Sequence, residues 1–130
     1  LVGELVKEGT ATNDARHLVA TYGTEASAVA NLISKDRALG APLVAGAPWL
    51  KAEVVHQARR EMAMTVADVM MRRTHIFHMR PDQGLPAAPA VAQLLAKELG
   101  WSEATIASSQ RFYAEEVERM RSAFRRPEPT

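Results

Sequence analysis

The stretch Glu53–Thr74, EVVHQARREMAMTVADVMMRRT, decides the fold class, because it reads as helix, capped break, helix. On its upstream side Leu50, Val54, Ala58 and Met62 recur at every fourth residue, which places them on one face of a helix that begins near Trp49. Thr65 and Asp68 then form a T-x-x-D capping pattern, so a fresh helix or a bend is expected there. Val66, Val69 and Met70 make the inward face of that second segment, which ends in the pair Arg72-Arg73 before Thr74.

The same spacing extends in both directions. Ala15, Leu18, Val19 and Tyr22 fall at helical intervals, with Thr12 or Asn13 as cap and Gly23 as stop. Ala26, Val29, Ala30 and Ile33 share a face of the next helix, for which Thr24 is the expected cap. LGAPLVAGAP, from Leu39 to Pro48, predicts an irregular connection, since its prolines lack a donor and disfavour helix in the residue before them. RPDQG, Arg80 to Gly84, is a turn by composition. Pro86 and Pro89 open a helix carrying Val91, Leu94, Leu95 and Leu99, Gly100 ends it, and Trp101 is placed to fold back on its last turn. Ser102 caps a final helix with Ile106, Tyr113, Val117, Met120 and Phe124 in one stripe, closed by Pro127. No segment alternates with a strand period. The expected architecture is all-α, a compact bundle of about five or six helices without a sheet, forming a single helical domain over residues 1–130.

Composition removes several function classes. Sixteen basic residues against fifteen acidic ones give a net charge of +1, so there is no basic excess of the kind that binds nucleic acid. With no cysteine, neither disulfides nor thiolate metal sites are available. No apolar run approaches the roughly 20 residues that span a bilayer, since Ala41–Leu50 is interrupted by Pro42, Gly46 and Pro48. Glu4 and Glu8 sit where a signal peptide would be positive and then apolar. The chain starts at Leu1 instead of Met, so a piece of a longer protein is expected.

The candidate chemistry is sparse. None of the seven glycines is separated from another by a single residue, so the G-x-G that lets backbone approach a pyrophosphate is missing, as are the G-x-x-x-x-G-K-[ST] phosphate loop and the G-x-S-x-G elbow. Glu53 and His56 form one E-x-x-H, the half-motif of di-iron bundles, whose site needs two such pairs and two further carboxylates, and no second pair occurs. They read as a surface pair on an amphipathic helix. His75 and His78 can share a helical face, but Arg72 and Arg73 oppose a cation there, so they read as a partly exposed pair. The doublets Arg59-Arg60, Arg72-Arg73 and Arg125-Arg126 suit phosphate, yet arginines that offset helix C-termini and pair with Glu53, Glu61 or Asp68 explain them. Met62, Met64, Met70 and Met71 read as core, and Trp49 and Trp101 as anchors at helix edges. No catalytic, cofactor-binding or metal-binding residue is assigned.

In order, Asp14-Ala15, Leu18, Tyr22-Gly23, Ala52-Glu53-Val54, Arg60-Glu61-Met62-Ala63, Asp68-Val69, Arg72-Arg73-Thr74 and Leu99-Gly100-Trp101-Ser102 make a pattern that covers nearly the whole chain. It resembles the C-terminal domain of the FAD-dependent glycerol-3-phosphate dehydrogenases and the related glycerophosphate oxidases. One departure is His75, where an arginine or another long residue would follow the R-R-T run. The resemblance implies a larger enzyme whose FAD- and substrate-binding parts lie upstream. Such an enzyme oxidises sn-glycerol 3-phosphate to dihydroxyacetone phosphate, and its electrons pass through FAD to a quinone. It also implies that this chain is non-catalytic and braces the catalytic domain or an oligomer interface. Arg72, Arg73 and Thr74 would then lie at the junction with the N-terminal FAD-binding domain. The expected location is the cytoplasm, with the parent enzyme at the inner face of the cell membrane and a homo-oligomer left open. The Arg-heavy, Lys-poor, Ala-rich composition points to a GC-rich bacterial source. The alternative is a freestanding helical interaction module without enzymatic activity.

Overall fold

The computed structural model describes residues 1–124, with side chains to residue 123, and every regular element in that range is helical. Arg125-Arg126 and Pro127, and the Phe124 side chain, lie outside what is described. Seven α-helices occur among the described residues: α1 Val2–Lys7, α2 Thr12–Tyr22, α3 Ala26–Lys35, α4 Lys51–Arg60, α5 Ile76–Met79, α6 Ala88–Leu99 and α7 Glu103–Phe124. The only extended pairing among the described residues is an isolated antiparallel bridge between Pro42 and Leu50. The all-α expectation is met. The chain divides into two compact units, Leu1–Ala63 and Met64–Thr130.

In the first unit α2 packs on α1 and α3, and α3 on α4. Leu5, Ala15, Leu18, Ala26, Val29 and Leu50 lie at its centre, with Val19, Tyr22 and Ile33 against them. Gly23 ends α2 as expected, with φ of 58°. The expected N-caps are corrected. Ala11 stands at the start of α2 and Glu25 at the start of α3, neither with a side-chain bond. A 3-10 turn, Gly23–Glu25, moves the start of α3 beyond Thr24. The Leu39–Pro48 stretch is irregular after a short 3-10 turn at Arg37–Gly40, and the bonds Leu43 N–H to Trp49 O and Lys51 N–H to Ala41 O close it into a loop. Leu43 and Trp49 are buried beneath it.

In the second unit the restart forecast at Thr65 is present. The Thr65 hydroxyl accepts from Asp68 N–H at 3.0 Å, while the Asp68 carboxylate accepts from Met64 N–H. Residues Asp68–Arg73 wind as a π-helix, with Val69 and Met70 buried. Thr74 closes it, its N–H and its hydroxyl both donating to Val69 O. Gly100 adopts φ of 69° after α6, and Trp101 N–H returns to Ala96 O. Ser102 Oγ accepts from Thr105 N–H at the start of α7, as the sequence predicts. The methionines are corrected: Met70 is buried, but Met62 is 78% exposed and Met64 59% exposed. Met62 has φ of 58° just past the end of α4, so the backbone turns away before its side chain reaches the helix face that period-four spacing assigned to it.

Gly84 holds the turn before α6. Its φ is 70°, and a Cβ there would sit 2.3 Å from Ile76 Cγ2 and 2.6 Å from Met70 Cε. Gly84→Ala should therefore destabilise by about 3 kcal/mol, combining overpacking with a backbone that alanine resists. Gly3→Ala, in α1 with nothing within 4 Å of the new Cβ, should be neutral or stabilise by up to about 1 kcal/mol. Thermal denaturation of the two variants side by side checks the contrast, and equal midpoints would refute it.

Candidate functional site

The polar centre of the first unit is Glu53, which the sequence reading left on the surface. It is 0% exposed and His56 is 2% exposed, so both are corrected to interior residues. The physical reason lies in α4, where six consecutive residues, Ala52–Gln57, are buried. A helix enclosed on all sides has no solvent face on which a Glu can rest.

Glu53 is placed one turn into α4, and its carboxylate is fully engaged. Oε2 accepts from Leu50 N–H at 2.6 Å, which satisfies one of the donors that every helix start leaves free. The same oxygen pairs with His17 Nε2 at 2.9 Å. Oε1 accepts from the Tyr22 hydroxyl at 2.8 Å. Gln57, one turn further along α4, donates from Nε2 to the Tyr22 oxygen at 2.9 Å. The Tyr22 ring meets His56 edge to face, with centroids 5.3 Å apart. Four side chains from α2 and α4 thus form one hydrogen-bonded group.

Its electrostatics follow from burial and one negative charge. The hydrogen bond to Glu53 raises the His17 pKa above its ordinary 6.5, against the opposing effect of partial burial. Burial, then the Glu53 charge, pushes the Tyr22 phenol far above its ordinary 10.0, so it is a permanent donor at physiological pH. A carboxylate, an imidazole and a phenol are a general acid–base set by type. Here they are turned on one another, and two clefts of this unit are lined by other residues. The arrangement clamps α2 to α4.

The second unit carries the Arg72-Arg73-Thr74 corner. Thr74 is buried, and besides its bonds to Val69 O its hydroxyl accepts from Ile76 N–H at 3.3 Å. Arg72 is 81% exposed and lies 3.6 Å from Asp68 one turn back. Arg73 is exposed and is not without a partner. His75 takes φ of 60° at the start of α5, a left-handed position in which His is enriched among non-glycine residues. His75 and His78 are exposed as expected, with ring centroids 6.2 Å apart, and the described residues contain no group of three or more potential metal ligands. Elsewhere in this unit the Tyr113 hydroxyl donates to Gln83 O, and burial with the nearby Asp82 charge raises its pKa. No described helix is long and apolar enough to cross a membrane.

Residues 3–106 match the model of the C-terminal domain of alpha-glycerophosphate oxidase. The chain belongs to this family. It is 33% identical over 103 residues to "Glycerol-3-phosphate dehydrogenase 2" of Mycobacterium tuberculosis, covering 79% of this chain and 18% of that protein. It is 33% identical over 99 residues to the mitochondrial glycerol-3-phosphate dehydrogenase of Mus musculus, covering 73% of this chain and 14% of that one. With "Glycerol-3-phosphate dehydrogenase" of Synechocystis it shares 33% identity over 88 residues, or 68% of this chain and 16% of the relative. The chain therefore spans less than a fifth of the length of these relatives. No solved structure matches. Every motif on which the sequence resemblance rests falls within the matched residues.

Removing the clamp should cost stability. Glu53→Ala orphans donors from His17, Tyr22 and Leu50 and should lose about 3 kcal/mol, and Tyr22→Phe about 2 kcal/mol, in chemical denaturation. A loss below about 0.5 kcal/mol for Glu53→Ala, the range of an ordinary surface change, would show that it clamps nothing. Because the folded pKa of His17 is raised, its contribution is fully present below pH 6.5 and is lost as pH rises through the folded value. Stability should accordingly decline from pH 6 to pH 9 in the wild type, and this component should vanish in His17→Gln.

Proposed function

We propose that this chain is the non-catalytic C-terminal part of an FAD-dependent enzyme that oxidises sn-glycerol 3-phosphate to dihydroxyacetone phosphate and passes the electrons to a quinone. The family match over residues 3–106 carries this reading, together with relatives that are glycerol-3-phosphate dehydrogenases of which the matched stretch makes up 18% and 14%. The residues present agree with it. No glycine pattern for a dinucleotide occurs, and the carboxylate, imidazole and phenol of the first unit are consumed in holding helices together. Flavin and substrate would be held upstream, and this domain would brace the FAD-binding domain or an oligomer interface, in the cytoplasm and peripheral to the membrane.

The junction with the FAD-binding domain is assigned to the Arg72-Arg73-Thr74 corner. Thr74 fixes the corner by bonding its own helix, which holds the exposed Arg72 and Arg73 on a defined bend. A guanidinium fork suits a carboxylate or a backbone carbonyl of an adjoining domain. In the full-length enzyme Arg73→Ala should lower flavin retention, thermal midpoint and activity together. Arg72→Ala, which breaks only an exposed pair with Asp68, should cost under about 1 kcal/mol. Unchanged retention, midpoint and turnover in Arg73→Ala would sink the junction.

A further inference from the structure

A second polar feature of the first unit is absorbed neither by the clamp nor by the corner. A cleft of about 190 Å³ opens where α3 and α4 end, lined by Asn31, Lys35, His56, Arg59 and Arg60 with apolar side chains between them. No carboxylate lines it. The nearest acidic residues in sequence are Asp36 and Glu61, and the Asp36 carboxylate is turned to Ala38 N–H at 3.1 Å.

The bland account is that these cations offset helix C-termini, for Lys35 closes α3 and Arg60 closes α4. Each helix end carries roughly half a negative charge. Two ends therefore call for about one positive charge, whereas the lining itself holds Lys35, Arg59 and Arg60. His56 adds an observation that helix-end compensation does not explain. It is 2% exposed and is among the residues that line the cleft, and an imidazole carries at least one N–H donor. With Asn31, the lining thus carries amide, imidazole, ammonium and guanidinium donors. Its volume lies below the roughly 300 Å³ at which sites for drug-sized ligands begin, so it fits a small oxyanion and not a nucleotide cofactor.

We propose that this cleft binds a phosphate monoester group, Lys35 and Arg60 supplying charge while His56 and Asn31 supply directed donors. The inference rests on the cleft alone and stands apart from the enzymatic reading. The source of the phosphate is either a small soluble ester or a phospholipid headgroup.

Equilibrium dialysis of the full-length protein with radiolabelled inorganic phosphate at low ionic strength tests it, with Lys35→Gln, Arg60→Gln and the double variant beside the wild type. The wild type should bind one phosphate per chain more than the double variant, and each single variant should weaken that site about tenfold, as expected for loss of one charged hydrogen bond. Should the double variant fail to fold, the single variants carry the same comparison. Sedimentation with phosphatidylglycerol and phosphatidylcholine vesicles separates the sources. Loss of phosphatidylglycerol binding in the variants, with phosphate competing in the wild type, identifies a headgroup, whereas phosphate binding without vesicle binding identifies a soluble ester. Variants whose thermal midpoint falls while phosphate and vesicle binding stay at the wild-type level would overturn the proposal and leave Lys35 and Arg60 as helix-end charges only.

Discussion

Glu53 carries a carboxylate into the interior of the first unit, and a group of that kind is tolerated inside a protein only where donors surround it. Three donors do so, one from the backbone at the start of its own helix and two from α2. The geometry is demanding because His17 and Tyr22 lie five residues apart on α2 and must both reach oxygens of one carboxylate. Sliding or rotating α2 by a single residue would strand at least one of them. Apolar packing of Ala15, Leu18, Val29 and Leu50 tolerates small shifts, as hydrophobic contacts are non-directional. The hydrogen-bonded group selects one register from those the apolar contacts allow.

The second unit solves the same problem by backbone devices. Its π-helix places an extra residue in the turn at Asp68–Arg73, and Thr74 takes up the consequence by bonding Val69 O twice. The chain then turns through His75 in the left-handed region, and Gly84 passes so close to Met70 and Ile76 that only a hydrogen fits. Tyr113 of α7 bonds Gln83 O beside that glycine, and Ser109 Oγ accepts from Val66 N–H at 3.1 Å. The longest helix of the unit therefore secures both of its irregular segments through side-chain to backbone bonds.

What could be read from the sequence divides along the range of the forces involved. Gly23, Gly100, Ser102 and the prolines of α6 act on residues within one turn of themselves, so their spacing alone locates helix ends. Glu53 acts across 31 and 36 residues, and nothing in EVVH announces partners at that distance. Period-four reasoning assigned it to solvent because that reasoning assumes one wet face, and α4 is buried around its whole circumference at Ala52–Gln57. Met62 failed in the opposite sense: it satisfied the period but lies past the end of the helix, where the period no longer applies. The basic doublet Arg59-Arg60 was visible, but Lys35 joins it only through the packing of α3 on α4.

The short motifs by which the chain resembles its family now have physical occupations, and these are occupations in folding. Tyr22-Gly23 ends α2 and binds the carboxylate, Glu53 is that carboxylate, Asp68 caps a helix start, Thr74 closes the π-turn, and Gly100-Trp101-Ser102 ends one helix and begins the next. A signature made of such residues identifies a scaffold by the way its helices begin, end and hold together. Arg72 and Arg73 differ from much of the signature in being exposed, while the buried Thr74 fixes the bend beside them. Arg72, with Asp68 one turn back, and Arg73 stand exposed on that bend, and this exposure is the ground on which the proposed junction rests.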